Sequence, residues 1–314
     1  MASSSWWPKN PFSSTASRRE GARYTWRRDS RETNWNGGRY GISKKVRYST
    51  ATLFNSNIII GSDGEILVHY RKLMPTFFEK LTWSPCDGYG LRVAKTRFGN
   101  IGALRCGENT NPLARYALMA QGEQVHISTW PVVWPTMIPL FQPDLDTRAD
   151  YGNVAANRIR AAAHCFENKC FGILCTGHLD DINMKAISSL SADSEFMNYA
   201  LKSTSRGAMM FLDPISAMLP DHIIDPDSGE KVEKTLLLKQ EGILYAEIDL
   251  DEGVEGNQYQ DVVGGYQRLD VFDLRGDRTR RKLATFFRRS KTSDGNAWTR
   301  WYQHQIPFWF SFDA

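Results

Sequence analysis

Apolar and polar positions fall into ordered runs from residue 51 onward. Leu53 to Ile60 and Glu65 to Tyr70 are β-prone runs separated by Gly61-Ser-Asp-Gly64, whose turn residues predict a hairpin. Leu91 to Val93 and Ile101 to Leu104 predict two more strands around the turn Arg97-Phe-Gly-Asn100. Leu113 to Gln121 has helical spacing with Pro112 near its start, and Val125 to Ser128 reads as a short strand. Ala149 to Asn168 is the longest helix candidate and feeds the strand Cys170 to Thr176. Met209 to Leu212 with Ile223 predicts a second hairpin, and Gly242 to Ile248 a last strand. Strands alternate with helices over about 200 residues without an internal repeat, which predicts an α/β layered domain.

The two ends of the chain lack this pattern. Residues 1–40 are rich in Ser, Arg, Gly and Asn with no sustained period, and are expected to form an irregular basic segment. The organised domain is expected over 41–274, followed by a basic and aromatic tail over 275–314. Charge follows the same division. Residues 1–50 carry eleven Lys/Arg against three Asp/Glu and residues 275–300 nine against two, while 51–274 carry 19 against 29, so the overall +4 hides an acidic body between basic ends.

Basic ends attract anions, but no helix-turn-helix, zinc-finger or aromatic RNA-reading motif accompanies them, so no nucleic-acid partner is expected. No stretch approaches ~18 uninterrupted apolar residues, which predicts no membrane span. The N-terminus has no apolar signal core. Five Cys without repeated spacing argue for a reducing, cytoplasmic location.

Several catalytic signatures are absent: G-x-S-x-G, G-x-x-x-x-G-K-[ST] and H-E-x-x-H. Gly88-Tyr-Gly90 reads as a plain turn. The six His are scattered without metal-ligand spacing, so no metal is expected, and Cys165, Cys170 and Cys175 read as buried structural thiols. Cys106 differs, because it closes the strand Ile101 to Leu104 just before a helix. Its side chain is expected at an open strand-to-helix turn, where backbone N–H groups favour a thiolate nucleophile. Lys72 ends a strand before Pro75, where an ammonium can hold developing negative charge, and Glu79 is placed to orient it; alternatively, Arg71, Lys72, Glu79 and Lys80 form a solvated charge run.

Three stretches carry a family resemblance: Arg71-Lys-Leu-Met-Pro-Thr-Phe-Phe-Glu79, Gly102-Ala-Leu-Arg-Cys-Gly-Glu-Asn-Thr-Asn-Pro-Leu-Ala-Arg115 and Met119-Ala-Gln-Gly-Glu-Gln-Val-His-Ile-Ser-Thr-Trp-Pro131. Together they closely resemble the nitrilase branch of the carbon–nitrogen hydrolase superfamily, over about Gly41 to Leu274. The resemblance implies an α-β-β-α sandwich and a Glu-Lys-Cys centre without metal or organic cofactor. Cys106 matches the nucleophile, Lys72 the lysine and Glu79 a second, supporting glutamate. Gly107 stands where many members carry Trp or Ala.

The family's first catalytic Glu belongs to a Phe-Pro-Glu strand end, and none occurs before Lys72; the acids there are Glu20, Asp29, Glu32, Asp63 and Glu65. The sandwich is therefore expected to lack its first β-α unit and the general base. Two functions follow from the resemblance. One is a nitrilase that converts a small-molecule nitrile to a carboxylic acid and ammonia through a Cys106 thioester, with an amide by-product, as a homo-oligomer. The other is a truncated, weakly active or inactive homologue that serves as an assembly partner.

Overall fold

The computed structural model describes residues 38–45, 51–133, 152–203 and 207–281, and all structural statements concern these. The chain divides into two compact units, Met1–Arg280 and Arg281–Ala314. The architecture that follows is that of the first. The expectations for residues 1–37 and for the basic and aromatic run beyond Arg281 lie outside the described residues.

One sheet has three antiparallel strands in the order β1 (Gly38–Lys45), β2 (Leu53–Ile60), β3 (Ile66–Arg71). β1 begins three residues ahead of the boundary expected at 41. The β2–β3 connection is the expected hairpin, closed by Gly61 N–H donating to the Glu65 carbonyl (2.8 Å), with Gly64 at φ +88° where a side chain would be strained.

The second sheet is built from β4 (Ala94–Thr96), β5 (Gly99–Arg105), β6 (Val125–Trp130), β7 (Phe171–Thr176) and β8 (Ala208–Leu212). A separate ladder joins β9 (Asp221–Ile224) to β10 (Lys231–Lys234), after which β11 (Leu236–Leu238) returns to the large sheet. Its order is β11-β8-β7-β6-β5-β4, with β5, β6 and β7 parallel and the outer pairings antiparallel.

Parallel strands need crossovers, and two helices supply them. α1 (Pro112–Met119) starts where Asn111 Oδ1 accepts from Leu113 N–H (3.0 Å) and Pro112 occupies the first turn. α2 (Asn153–Asn168) buries Asn157, Ala161, His164 and Cys165, one face at helical spacing, and lies on β6, β7 and β8. α3 (Asp181–Ser188), α4 (Ser194–Ser203) and α5 (Glu252–Tyr259) complete the helices described.

Alternation along the strands makes two cores. Ile59, Val68 and Tyr70 of the small sheet pack with Ile101, Ala103, Ile127, Ile173 and Phe211 of the large one. On the opposite face Leu174, Met210 and Leu212 pack with Ala161 and Cys165 of α2. Helix, sheet and sheet are thus stacked as layers, in keeping with the expected α/β class.

Local expectations fail where tertiary partners decide. Residues 91–93 form no strand, and β4 begins at Ala94. β8 pairs with β7 and β11 rather than with Ile223, because the Asp225 side chain accepts from Asp227 and Ser228 N–H and folds β10 back onto β9. Gly242 to Ile248 buries Leu244 and Ala246 but makes only an isolated bridge, Tyr245 to His222; its Glu247 N–H donates to the Asp221 carboxylate instead of a ladder.

Candidate active site

The carboxyl ends of β3 and β5, one from each sheet, come together. Lys72 follows β3 and Cys106 follows β5. In sheets of this kind the space beyond the strand carboxyl ends is where ligands bind. Two contacts tie the loops: Leu73 N–H donates to Glu108 Oε1 (2.6 Å), and a Cβ on Gly107 would lie 3.1 Å from Thr76 Oγ1. From beneath, Arg105 Nη1 donates to the Ser56 carbonyl (2.7 Å) and Asn57 Oδ1 (2.8 Å) of β2.

The solvated charge run is not what forms. Lys72 is 1% exposed, whereas Lys80 is on the surface. Its ammonium pairs with Glu79 Oε2 and donates to Thr76 Oγ1 at 3.2 Å. The same Glu79 oxygen accepts from Thr76 N–H (2.6 Å), and Oε1 accepts from Asn55 Nδ2 (3.3 Å). A buried ammonium requires such a partner. Among the described residues two of its three N–H donors are used, which leaves the third for a ligand.

Cys106 adopts φ +54°, a left-handed conformation that costs a non-glycine residue roughly 1–3 kcal/mol. Contrary to the open turn expected from the sequence, its side chain is 4% exposed, packed with Trp130 and Ala161 between sheet and helix. Arg160 of α2 is half-buried and within electrostatic reach of Cys106. Of the three thiols read as structural, Cys165 and Cys170 are buried and Cys175 partly so, all unbridged.

Glu108 is the second carboxylate at this turn. Its Oε2 is buried without a partner, and burial pushes its carboxyl up to about 7 against the lowering effects of Tyr70, the Leu73 N–H and Lys72. The Tyr70 hydroxyl lies against it short of full hydrogen-bond geometry, and burial raises that hydroxyl well above its ordinary value. Of the five acids that precede Lys72, Glu20, Asp29 and Glu32 lie outside the described residues. Asp63 and Glu65 sit exposed at the β2–β3 turn, about 20 Å from Lys72 along a strand of six residues.

A third ionisable cluster lies under the cysteine turn. Glu123 Oε1 is 2.7 Å from His126 Nδ1 and Oε2 is 2.7 Å from His164 Nε2, all three side chains fully buried. His126 and His164 stack with ring centroids 3.6 Å apart and planes 18° apart. Burial would raise the Glu123 carboxyl, but the two imidazoles outweigh it and hold it down to about 2; burial and His126 hold His164 down to about 4. Gly102 makes room for this carboxylate, since a Cβ there would lie 1.8 Å from Glu123 Oε1. His126 and His164, far apart in sequence, thus meet with Glu123 in an arrangement of metal-ligand type. Its geometry is that of a hydrogen-bond network, because each carboxylate oxygen already has its own imidazole and nearly parallel rings do not converge their lone pairs on one ion.

These features match a known family: the carbon–nitrogen hydrolase family model matches residues 4–193. The chain belongs to the carbon–nitrogen hydrolase family. Among curated members, it is 31% identical over 238 residues to a nitrilase of Penicillium rubens, covering 75% of this chain and 64% of the relative. It is 31% identical over 229 residues to an arylacetonitrilase of Hypocrea virens, covering 72% and 61%, and 34% identical over 230 residues to a bromoxynil-specific nitrilase of Klebsiella pneumoniae subsp. ozaenae, covering 73% and 57%. The chain thus spans less than two thirds of the length of these relatives. The crystal structure of a carbon–nitrogen hydrolase from Helicobacter pylori G27 shares the fold, with TM-score 0.50 and 18% identity over 74% of this chain and 68% of the other.

Within this hydrolase fold, sequence reasoning singled out Lys72, Glu79 and Cys106 and passed over the Glu123, His126 and His164 cluster and Asn109. A signal was present: His126 and Ser128 share one face of a strand whose other face is Val125 and Ile127, and Asn157 and His164 interrupt the buried face of α2. Polar residues on the packing face of a central element require partners.

Proposed function

We propose that the protein hydrolyses a nitrile to a carboxylic acid and ammonia, with Cys106 as nucleophile, Lys72 as the group that stabilises charge on nitrogen and Glu79 as the residue that holds Lys72. The observation that carries this reading is the buried Lys72 ammonium with one N–H uncommitted, on a loop joined to the strained Cys106 turn.

The reaction proceeds in balanced steps. The Cys106 thiol loses its proton to a base, sulfur bonds to the nitrile carbon, and the nitrogen takes up the proton to give a thioimidate beside Lys72. Water adds to that carbon, and the carbon–nitrogen bond breaks to release ammonia and leave a thioester. A second water displaces sulfur, giving the acid and the free thiol. Breaking the carbon–sulfur bond one stage earlier releases an amide. Of the two carboxylates beside the turn, Glu79 is engaged by Lys72, Thr76 and Asn55, whereas Glu108 keeps one oxygen unpartnered and ionises near neutrality. Glu108 is therefore the group suited to take the thiol proton. The substrate is an arylacetonitrile-type nitrile, the class named for one relative.

A second reading is that the chain acts chiefly as an assembly partner. Exposed Met74, Phe77, Phe78 and Leu81 beside the site favour it, since apolar side chains gathered on one surface loop are suited to an interface, a homo-oligomeric one included. No helix among the described residues is long and apolar enough to cross a membrane.

Ammonia release from phenylacetonitrile separates the readings. The first predicts release by the unaltered protein and none by Cys106→Ala. No release by the unaltered protein, or equal release by both, contradicts it.

A further inference from the structure

We infer that Asn109 is a positioning residue for Cys106, fixed in that role by the Glu123–His126 pair. The inference rests on Cys106 being the nucleophile. Asn109 is 1% exposed, three residues past the cysteine, and its Nδ2 donates to the Cys106 carbonyl at 3.1 Å. That carbonyl belongs to the residue held at φ +54°, so the bond acts directly on the strained peptide that aims the thiol.

The amide has one possible orientation. Since a carbonyl can only accept, the Asn109 nitrogen faces Cys106 and Oδ1 faces the other side. There Oδ1 accepts from Ser128 Oγ (2.9 Å) and lies 3.0 Å from His126 Nε2, which therefore carries its hydrogen. The other His126 nitrogen meets the Glu123 carboxylate at 2.7 Å. Glu123 is in turn held on its far oxygen by His164 (2.7 Å). A flipped Asn109 would set N–H against N–H and carbonyl against carbonyl among fully buried groups. The result is a continuous path from Glu123 through His126 and Asn109 to the Cys106 backbone, with no group in it exposed. None of these side chains serves the Lys72 pair, and the reaction written above uses none of them.

A merely structural amide and a positioning one differ in what their loss does to the thiol. Loosening the packing exposes a buried sulfur and speeds its alkylation, whereas letting the Cys106 peptide relax from its left-handed conformation moves the sulfur out of line and slows it. The experiment measures alkylation of Cys106 by iodoacetamide in the full chain, by peptide mass, with Cys86 as internal reference. Asn109→Ala is expected to slow Cys106 relative to Cys86 by about tenfold to a hundredfold, the usual cost of a reactive group misplaced by about 1 Å. Ser128→Ala, which keeps the His126 bond, is expected to change it less than about threefold. If Asn109→Ala does not fold, Asn109→Asp carries the test, since it keeps an acceptor for Ser128 and His126 and turns the donor to the Cys106 carbonyl into an acceptor that repels it; the same slowing is expected. With phenylacetonitrile, either variant should lower kcat by a similar factor and leave KM within about twofold. An unchanged or faster alkylation of Cys106 overturns the positioning role. Slowed alkylation in a protein that turns over no nitrile leaves that role standing and removes the nitrile reading instead.

Discussion

Glu79 and Glu123 are both carboxylates held by nitrogen cations or imidazoles, yet their settings differ in one respect that separates chemistry from support. Glu79 sits on a surface loop with a side chain 10% exposed, and the ammonium it holds retains an uncommitted N–H. Glu123 is sealed, with both oxygens taken by imidazoles that are themselves fully buried. A charged group with a spare donor at a strand end can meet a substrate. A charged group whose valences are spent inside the core can only hold other groups in place, and here what it holds leads to Cys106.

The largest expected effect lies on the open side. Lys72→Met should lower nitrile turnover by about 10³-fold or more, roughly 4 kcal/mol at the transition state, as measured by ammonia release at saturating substrate. The fold should survive, because Met replaces the lysine stem at similar volume and Glu79 keeps its bonds to the Thr76 N–H and Asn55 Nδ2. Severe unfolding in that variant would break the comparison.

The sealed side should behave in the opposite sense. Glu123→Gln removes a carboxylate oxygen that a buried imidazole is bonded to, and loss of one partner from a buried pair costs about 3–5 kcal/mol. Chemical denaturation should show this as a lower midpoint. A stability within about 0.5 kcal/mol of the parent would mean that the cluster is not an ionic network.

Glu108 sharpens the contrast because it is buried with one oxygen held by the Leu73 N–H and the other without a partner. Its carboxyl ionises at about 7 in the fold against an ordinary 4.5, so between those values the folded chain binds a proton that the unfolded chain has released. Its contribution to stability is therefore full below about pH 4.5 and is lost as pH rises through about 7, by up to roughly 3 kcal/mol. Glu108→Gln should flatten the fall in melting temperature over that window. An unaltered pH profile would show that the fold does not raise the Glu108 carboxyl.

The smallest effect concerns shape. In Gly107→Ala the new Cβ would lie 3.1 Å from Thr76 Oγ1, tighter than ordinary contact, and Thr76 bears on the Lys72 ammonium. A few-fold loss of turnover, about 1 kcal/mol, is expected with unchanged stability. A gain in turnover would show that the loop is underpacked.

What the sequence made legible follows from how local its causes are. The β2–β3 hairpin is set by Gly61 and Gly64, and α1 by Asn111 and Pro112, so both are readable in short windows. Cys106 could be placed at a strand end, but its burial could not, because Trp130 and Ala161 arrive from later elements. Lys72 offered two readings, and only a tertiary contact, Asn55 reaching Glu79, shows that the pair is enclosed. The Glu123 cluster draws on β6 and α2 and was invisible to any rule of spacing, although unpartnered polar residues on packing faces pointed toward it. Residues Gly242 to Ile248 have strand periodicity without a strand partner, since periodicity reports burial and not hydrogen bonding.

The most direct test of the account is to trap the covalent intermediate. The protein is mixed with phenylacetonitrile, quenched in acid during turnover, and the peptide that contains Cys106 is weighed. The account predicts the phenylacetyl thioester on Cys106 in the unaltered protein and its near absence from Lys72→Met. Ammonia release with an unmodified Cys106, or an adduct on another cysteine, would contradict it.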